Sequence, residues 1–342
     1  MVALETRQPD LSLPGTSDSR RTIPLLVVIV NYRTGDLVID CLKSLAEEIA
    51  AIPGARVEVV DNASGDNSVA RLAQAIGENG WSWVTLRALS ANGGFAFGNN
   101  AAIGPALTGD RPPRYVLLLN PDTYIRPGAL RALLSFMEVH PDVGIAGSRI
   151  ENPDGSPRRT AFQFHTILGE FSSAAKIGFI QRLLARWTIA PPVRDEPHPI
   201  DWVSGAAMLV RAEVFHAIGL LDDRYFMYYE EMDFCRRATL AGWACWYVPQ
   251  SRVVHLVGQA SGVTGTKRPR RRTPRYWFES RRHYYLKMHG RMYKFLADIA
   301  WTLGFACWRV RRWLLRQPDD QPPYMLRDFI AFNFLGSIPR TI

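Results

Sequence analysis

The 342 residues are enough for one large domain with an appendage, and a composition of 47% hydrophobic and 21% charged residues is that of a globular protein with a sizeable core. The net charge of +9 is uneven: residues 263–342 carry 17 Lys/Arg against 5 Asp/Glu, whereas residues 1–262 carry 24 against 27. A near-neutral body argues against a protein that is basic throughout, and the basic C-terminal quarter points to a phosphate-rich partner, either nucleic acid or an anionic membrane face.

Cys41, Cys235, Cys245 and Cys307 form no CxxC pair and read as reduced thiols of a cytosolic protein. Residues 1–22 are polar, without the apolar stretch of a signal peptide, and are expected to form a disordered tail.

LLVVIV (25–30) is a continuous β-branched run of the kind that forms a strand buried on both faces. A helix is expected over about 36–50, ended by Pro53-Gly54. VEVVDN (57–62) is a second strand that delivers Asp61 and Asn62 to its carboxyl end, followed by a helix over about 66–78. WVTLRAL (83–89) is a third strand, after which NGGF opens a helix reaching about Ala106. YVLLLN (115–120) is a fourth strand, Pro127 reads as the first-turn proline of a helix over 127–139, and VGIAGS (143–148) is a fifth strand. This alternation predicts an α/β, doubly wound, mostly parallel sheet.

Residues 151–200 are rich in Pro and Arg and read as an excursion with one helix near 166–186, and a β/α segment over 200–257 returns to the sheet. The expected division is a catalytic domain over 23–262 and a basic, helix-rich region over 263–342. In that region KRPRRR (267–272) is a loop and 275–316 is helical. Phe295–Trp308 is apolar apart from Asp298 and Thr302, yet 14 residues fall short of the roughly 20 that cross a bilayer. With Arg309, Arg311, Arg312 and Arg316 behind it, the stretch fits a helix lying at a membrane interface; a cover packed on the catalytic body is the alternative.

Four segments carry chemistry. LLLNPDT (117–123) ends a hydrophobic strand at a rigid turn that presents Asp122, where a cation could bridge to a diphosphate; a turn-capping Asp is the plainer alternative. NGGFAFGNN (92–100) brings backbone N–H groups to a helix start, as a phosphate-contacting loop would, or is a Gly-rich turn with Phe95 packed inward. It is neither a Walker A motif nor a GxGxxG fingerprint. YYEEMDFCRR (228–237) crowds Glu230, Glu231 and Asp233 at the start of a helix expected over about 231–241, beside apolar neighbours that make simple solvation a poor explanation. A carboxylate there could take a proton from a hydroxyl, although N-terminal capping would also account for it. His255 ends RVVHLVG (252–258); alone it reads as structural, and with Asp122 it becomes a ligand for a Mn2+-like ion.

Together these segments resemble the inverting glycosyltransferases of the GT-A fold, family 2 type, in the bacterial group related to rhamnosyltransferases of cell-wall and O-antigen assembly. The likeness spans roughly residues 25–290 and includes RYWFESRRHYYLKMHG (275–290). It implies that Asp61 bonds the pyrimidine base, that Asn31 and Tyr32 line the nucleotide pocket, and that Phe95 and Asn99 lie near base or phosphates. Asn120-Pro121-Asp122 stands where relatives carry Asp-x-Asp, leaving Asp122 as the carboxylate ligand and Asn120 as a ribose contact. His255, 24 residues after Glu231, matches the metal histidine. Glu231 falls where the family has its base, usually Asp, and Glu230 beside it keeps the assignment open. Trp202, Gly205 and Ala206, with Asp233, would border donor and acceptor.

The resemblance further implies Mg2+ or Mn2+ and a dTDP-L-rhamnose donor, with UDP-hexose, UDP-galactofuranose or a GDP-sugar as alternatives. It implies a polyprenyl-diphosphate-linked saccharide acceptor and a site on the cytoplasmic, inner face of the plasma membrane. A homodimer is left open. A sugar-phosphate nucleotidyltransferase would need an Arg/Lys-bearing Gly-rich loop after the first strand, where this chain reads NYRTGD (31–36). A nucleic-acid binder is disfavoured because the basic cluster is confined to one end and no helix-turn-helix or RNP pattern occurs.

Overall fold

The computed structural model describes residues 22–256, 271–319 and 321–336. The expected N-terminal tail, the last two residues of RVVHLVG and most of the KRPRRR loop lie outside the described residues.

The chain alternates β1 (Ile23–Asn31), α1 (Gly35–Ala50), β2 (Arg56–Asp61), α2 (Ser68–Glu78), β3 (Val84–Ala88), α3 (Gly94–Thr108) and β4 (Pro113–Leu119). It continues through β5 (Thr123–Ile125), α4 (Ala129–Val139) and β6 (Val143–Glu151). The excursion holds β7 (Ala161–Phe162), α5 (Ile167–Ala175), α6 (Gly178–Leu183) and β8 (His198–Pro199). The return comprises β9 (Trp202–Val203), β10 (Ala207–Arg211), α7 (Ala212–Ile218), α8 (Glu230–Leu240) and β11 (Ala244–His255), before α9 (Arg275–Leu314) and α10 (Met325–Phe334).

The main sheet runs β3-β2-β1-β4-β10-β6-β11-β5, with β8 beside β11, and β7 pairs with β9 in a separate ribbon. β1, β2, β3 and β4 pair in parallel, as do β6 and β11; β10 is antiparallel to both its neighbours and β5 to β11. Alternate residues of β1 feed two apolar layers. Leu25, Val27 and Ile29 meet Leu42 of α1 and Leu133 of α4, whereas Leu26 and Val28 meet Ile103 of α3 and Phe234 of α8. A sheet covered on both faces exposes polar groups only at its strand ends. Asn31 is level with Asp61, Asp61 is level with Ala88, and Asn120 follows β4, so all open onto the edge where the order switches from β1 to β4.

Two expectations are corrected. α4 begins at Ala129, because Gly128 adopts φ 81 and separates Pro127 from the helix. The single helix expected over 166–186 breaks at Lys176, whose φ of 49 ends α5. The segment Phe295–Trp308 turns one side inward, with Ala297, Gly304, Phe305 and Trp308 buried. A side chain at Gly304 would run into the Phe171 carbonyl, so glycine lets α9 lie directly on α5. Phe278, Phe305 and Trp308 form an apolar cluster with Phe329 and Phe332 of α10, and Trp301 stacks on Phe329 at 3.9 Å.

α9 bends at Gly290, where φ is 80. A buried ionic cluster spans the bend and reaches α5: Arg281 pairs with Glu170 at 2.7 Å and with Asp298, Lys294 meets Asp298 at 2.6 Å, and His165 Nδ1 stands 2.6 Å from Glu170. Arg272, from the basic loop, is a bidentate partner of the buried Asp328, so part of that charge is structural.

Candidate active site

Pairing of β5 with β11 sets His255 level with Thr123 and brings Leu256 N to the Asp122 carbonyl at 2.9 Å. The His255 Nε2 atom thereby stands 3.0 Å from Asp122 Oδ1 and 3.3 Å from Asn120 Nδ2. Asp122 is 2% exposed. The oxygen and nitrogen donors suit Mg2+ or Mn2+, and neighbouring ligands about 2.1 Å from an octahedral ion stand roughly 3.0 Å apart. Among the described residues no group of three or more His, Cys, Asp or Glu is placed to hold a metal ion. Two protein donors leave positions for phosphate oxygens.

At the β1–β2 edge the carboxylate of Asp61 is tightly held. Its Oδ1 accepts from Asn31 Nδ2 at 2.6 Å and Ser64 Oγ at 2.5 Å, and its Oδ2 accepts from Ser64 N at 3.0 Å. Asn31 is fully buried and its Oδ1 accepts from Thr34 N and Oγ1, so its side chain orients Asp61 instead of lining a pocket. Tyr32 is 39% exposed, with the Arg33 guanidinium 5.1 Å from its ring centre. Asn99 turns back into α3, donating to the Phe95 carbonyl at 2.9 Å, and its buried Oδ1 has no partner.

The NGGF loop works as a clamp. Asn62 Nδ2 donates to Asn92 Oδ1 and to the Gly94 carbonyl at 2.8 and 2.9 Å, and Phe95 N donates to the Phe226 carbonyl at 2.9 Å. Gly94 has φ 91, and a side chain there would overlap the Phe226 carbonyl oxygen. The contact fixes the approach to α8, which starts after two left-handed residues, Tyr228 (φ 71) and Tyr229 (φ 72). Neither residue is the glycine or asparagine that tolerates this region, so the turn persists only because its surroundings over-determine it. α9 supplies part of that hold: Tyr276 stacks on Tyr228, Tyr284 packs on Tyr229, and Ser280 Oγ donates to the Met227 carbonyl at 3.0 Å. Nothing in the string YYEE announces such a turn.

Glu230 is 4% exposed, and one carboxylate oxygen of each of Glu230 and Glu231 is buried without a hydrogen-bond partner. Burial first, and then the charge of Glu231, push Glu230 well above the carboxylate range. Burial also raises Glu231, while hydrogen bonding from Glu230 and the Gly205 backbone partly offsets it. Both carboxyls are therefore pushed upward, Glu230 further than Glu231, and the two titrate as a pair. Asp233 departs from the expected donor/acceptor border. Its buried carboxylate is taken up by Tyr225 Oη at 3.1 Å, Arg237 at 2.8 Å and Lys287 at 2.6 Å.

Residues 202–206 connect the two centres. Asn120 N donates to the Ala206 carbonyl at 3.0 Å. One residue earlier, a methyl group on Gly205 would stand 3.3 Å from the Phe95 ring and 4.0 Å from Glu231 Cβ. Phe95 thus packs inward against this loop. Trp202 anchors the other end, stacked on Phe162 at 4.3 Å and donating from Nε1 to the Gln163 carbonyl at 3.2 Å. The loop therefore touches Asn120, two residues before Asp122, through Ala206 and borders Glu231 through Gly205.

The sequence is similar to the N-acetylglucosaminyl-diphospho-decaprenol L-rhamnosyltransferase of Mycobacterium tuberculosis, 32% identical over 247 residues that cover 70% of this chain and 78% of the relative. The structure is similar to S. aureus TarS 1–349 in complex with UDP, with TM-score 0.51 and 15% identity over 86% of this chain and 76% of that one. It is also similar to GalNAc-T7 with UDP, GalNAc and Mn2+, with TM-score 0.51 and 13% identity over 68% of this chain and 44% of that one. These likenesses establish the GT-A fold. The model of the family described as "Glycosyltransferase like family 2" matches residues 23–283, and the chain belongs to that family of transferases.

Proposed function

We propose that this enzyme transfers an L-rhamnosyl group from dTDP-L-rhamnose to a polyprenyl-diphosphate-linked saccharide, with inversion at the anomeric carbon. The observations that carry the transfer chemistry are the buried Glu230–Glu231 pair, with a carboxylate oxygen of each left without a partner, and the Asp122–His255 pair, both in contact with the 202–206 segment or the strand end beside it. The rhamnosyl donor and the lipid-linked acceptor are supported by the mycobacterial relative.

Glu231 takes the proton of the acceptor hydroxyl as that oxygen attacks the anomeric carbon from the face opposite the leaving diphosphate. Glu230, by keeping its own proton, avoids a second negative charge beside the base and donates to it. Asp61 retains an open acceptor position on Oδ2 for a pyrimidine N–H, and Asn31 and Ser64 hold it there. The exposed ring of Tyr32 offers a stacking surface beside it. Asp122 and His255 would hold a divalent cation, which when bound neutralises charge on the diphosphate. The solved neighbour with Mn2+ supports this use of a cation.

The test incubates the purified chain with dTDP-rhamnose, UDP-hexoses, UDP-galactofuranose and GDP-sugars, with and without Mg2+ or Mn2+, and measures nucleotide release. The expected outcome is cation-dependent release of dTDP. Preferential release of UDP or GDP reassigns the donor, and diphosphate release from a nucleoside triphosphate overturns glycosyl transfer altogether.

A further inference from the structure

The second half of α9 is apolar on two sides. Its inner side, with Ala297, Phe305 and Trp308, is buried. Its outer side carries Met292, Leu296, Leu303, Val310 and Leu314, between 42% and 71% exposed. At 100° per residue these five positions fall within about 40° of one another around the helix, along a line roughly 33 Å long. Phe295 and Trp313, 48% and 77% exposed, widen the stripe along one side. Scattered exposed apolar residues are ordinary on a soluble surface; an unbroken stripe marks a contact.

The charge around the stripe identifies its occupant. Arg309, Arg311 and Arg316 crowd the C-terminal end and are exposed, with Asp319 opposite Arg309. Among the described residues no helix is long and apolar enough to cross a membrane. An apolar stripe with a basic collar, too polar to span, suits a helix lying in the plane of an anionic interface. A parallel second copy would bring two basic collars together.

We propose that the outer face of Met292–Leu314 is a docking surface for an anionic lipid bilayer. The inference rests on this face alone and not on the identity of donor or acceptor. Because Asp298 and Arg281 lock both halves of α9 to α5, and Tyr276 and Tyr284 hold the turn before Glu230, docking also sets the orientation of the acidic pair relative to the bilayer.

The full chain is sedimented with phosphatidylcholine vesicles with and without phosphatidylglycerol, beside Leu303→Glu/Val310→Glu and Arg309→Gln/Arg311→Gln/Arg316→Gln variants. Circular dichroism melting establishes that the variants fold, and light scattering gives their mass. Expected are salt-sensitive binding to phosphatidylglycerol vesicles, its loss in the Leu/Val variant, and a weakening of about a hundredfold in the arginine variant. Undiminished vesicle binding by the folded Leu/Val variant overturns the proposal. So does a wild-type dimer that this variant converts to monomer without binding vesicles in either form.

Discussion

Two buried glutamates in this protein, Glu170 and Glu230, titrate in opposite directions. Glu170 would be raised by burial, but Arg281 and His165 outweigh that cost and take it down to about 2. Glu230 is comparably buried, faces another carboxylate, and is driven upward by burial and then by that neighbour. Asp233, three residues further along the same helix, follows the first pattern of partners, with Arg237 and Lys287 against it. Burial alone therefore does not distinguish a reactive acid from a structural one; the local supply of cations does. The compensated cluster holds α9 on α5, and α9 in turn braces the left-handed turn that presents the uncompensated pair.

The sharpest way to break this contrast is to neutralise the two glutamates separately. Glu231→Gln is expected to lower kcat by about 10²–10⁴ at saturating donor. Glu230→Gln, which keeps a hydrogen-bond donor, should stay within about tenfold. Equal losses, or a near wild-type Glu231→Gln, would remove the distinction between base and proton holder.

The structural cluster should fail differently. Arg281→Met removes the cation shared by Glu170 and Asp298, leaving them only His165 and Lys294, and should destabilise the fold by about 3–5 kcal/mol in urea denaturation. Adding Glu170→Gln and Asp298→Asn to that variant removes the under-compensated charges and should restore part of the loss. A single variant as stable as the wild type would show that the ion pairs do not hold α9.

Smaller effects should appear in stability against pH, with opposite signs. Glu170 is depressed in the folded state, so its contribution is present above the ordinary value of 4.5 and is lost as pH falls towards about 2. Glu230 is raised, so the folded state binds the extra proton and stability declines as pH climbs above 4.5. In chemical denaturation at a series of pH values, Glu170→Gln should flatten the acid limb and Glu230→Gln the limb above it. The same slope change in both variants would contradict the contrast.

Much of the sheet was legible because a strand buried on both faces must be continuously apolar, as LLVVIV and YVLLLN are. The polar residues that end such runs have only the sheet edge to occupy, which made Asp61, Asn120 and Asp122 visible. The direction of β10 was not legible: AMLVR (207–211) is equally apolar read either way, and only its neighbours β4 and β6 decide that it runs antiparallel. The inward roles of Asn31 and Asn99 were hidden for a related reason. An amide in a site motif can serve a ligand or the backbone, and its partners here lie tens of residues away or one helical turn back.

Local pattern thus determined which segments become strands and helices, which acids and imidazole reach the strand ends, and that the basic charge collects in one terminal quarter. Periodicity and chain chemistry act over a few residues and survive without the fold. Tertiary structure decided which carboxylates keep a counterion, where α9 turns its two apolar sides, and how Gly94 and α9 sustain the turn before Glu230. Those outcomes depend on groups far apart in sequence sharing one low-dielectric space, where a neighbour a few ångströms away outweighs the residue's own preference.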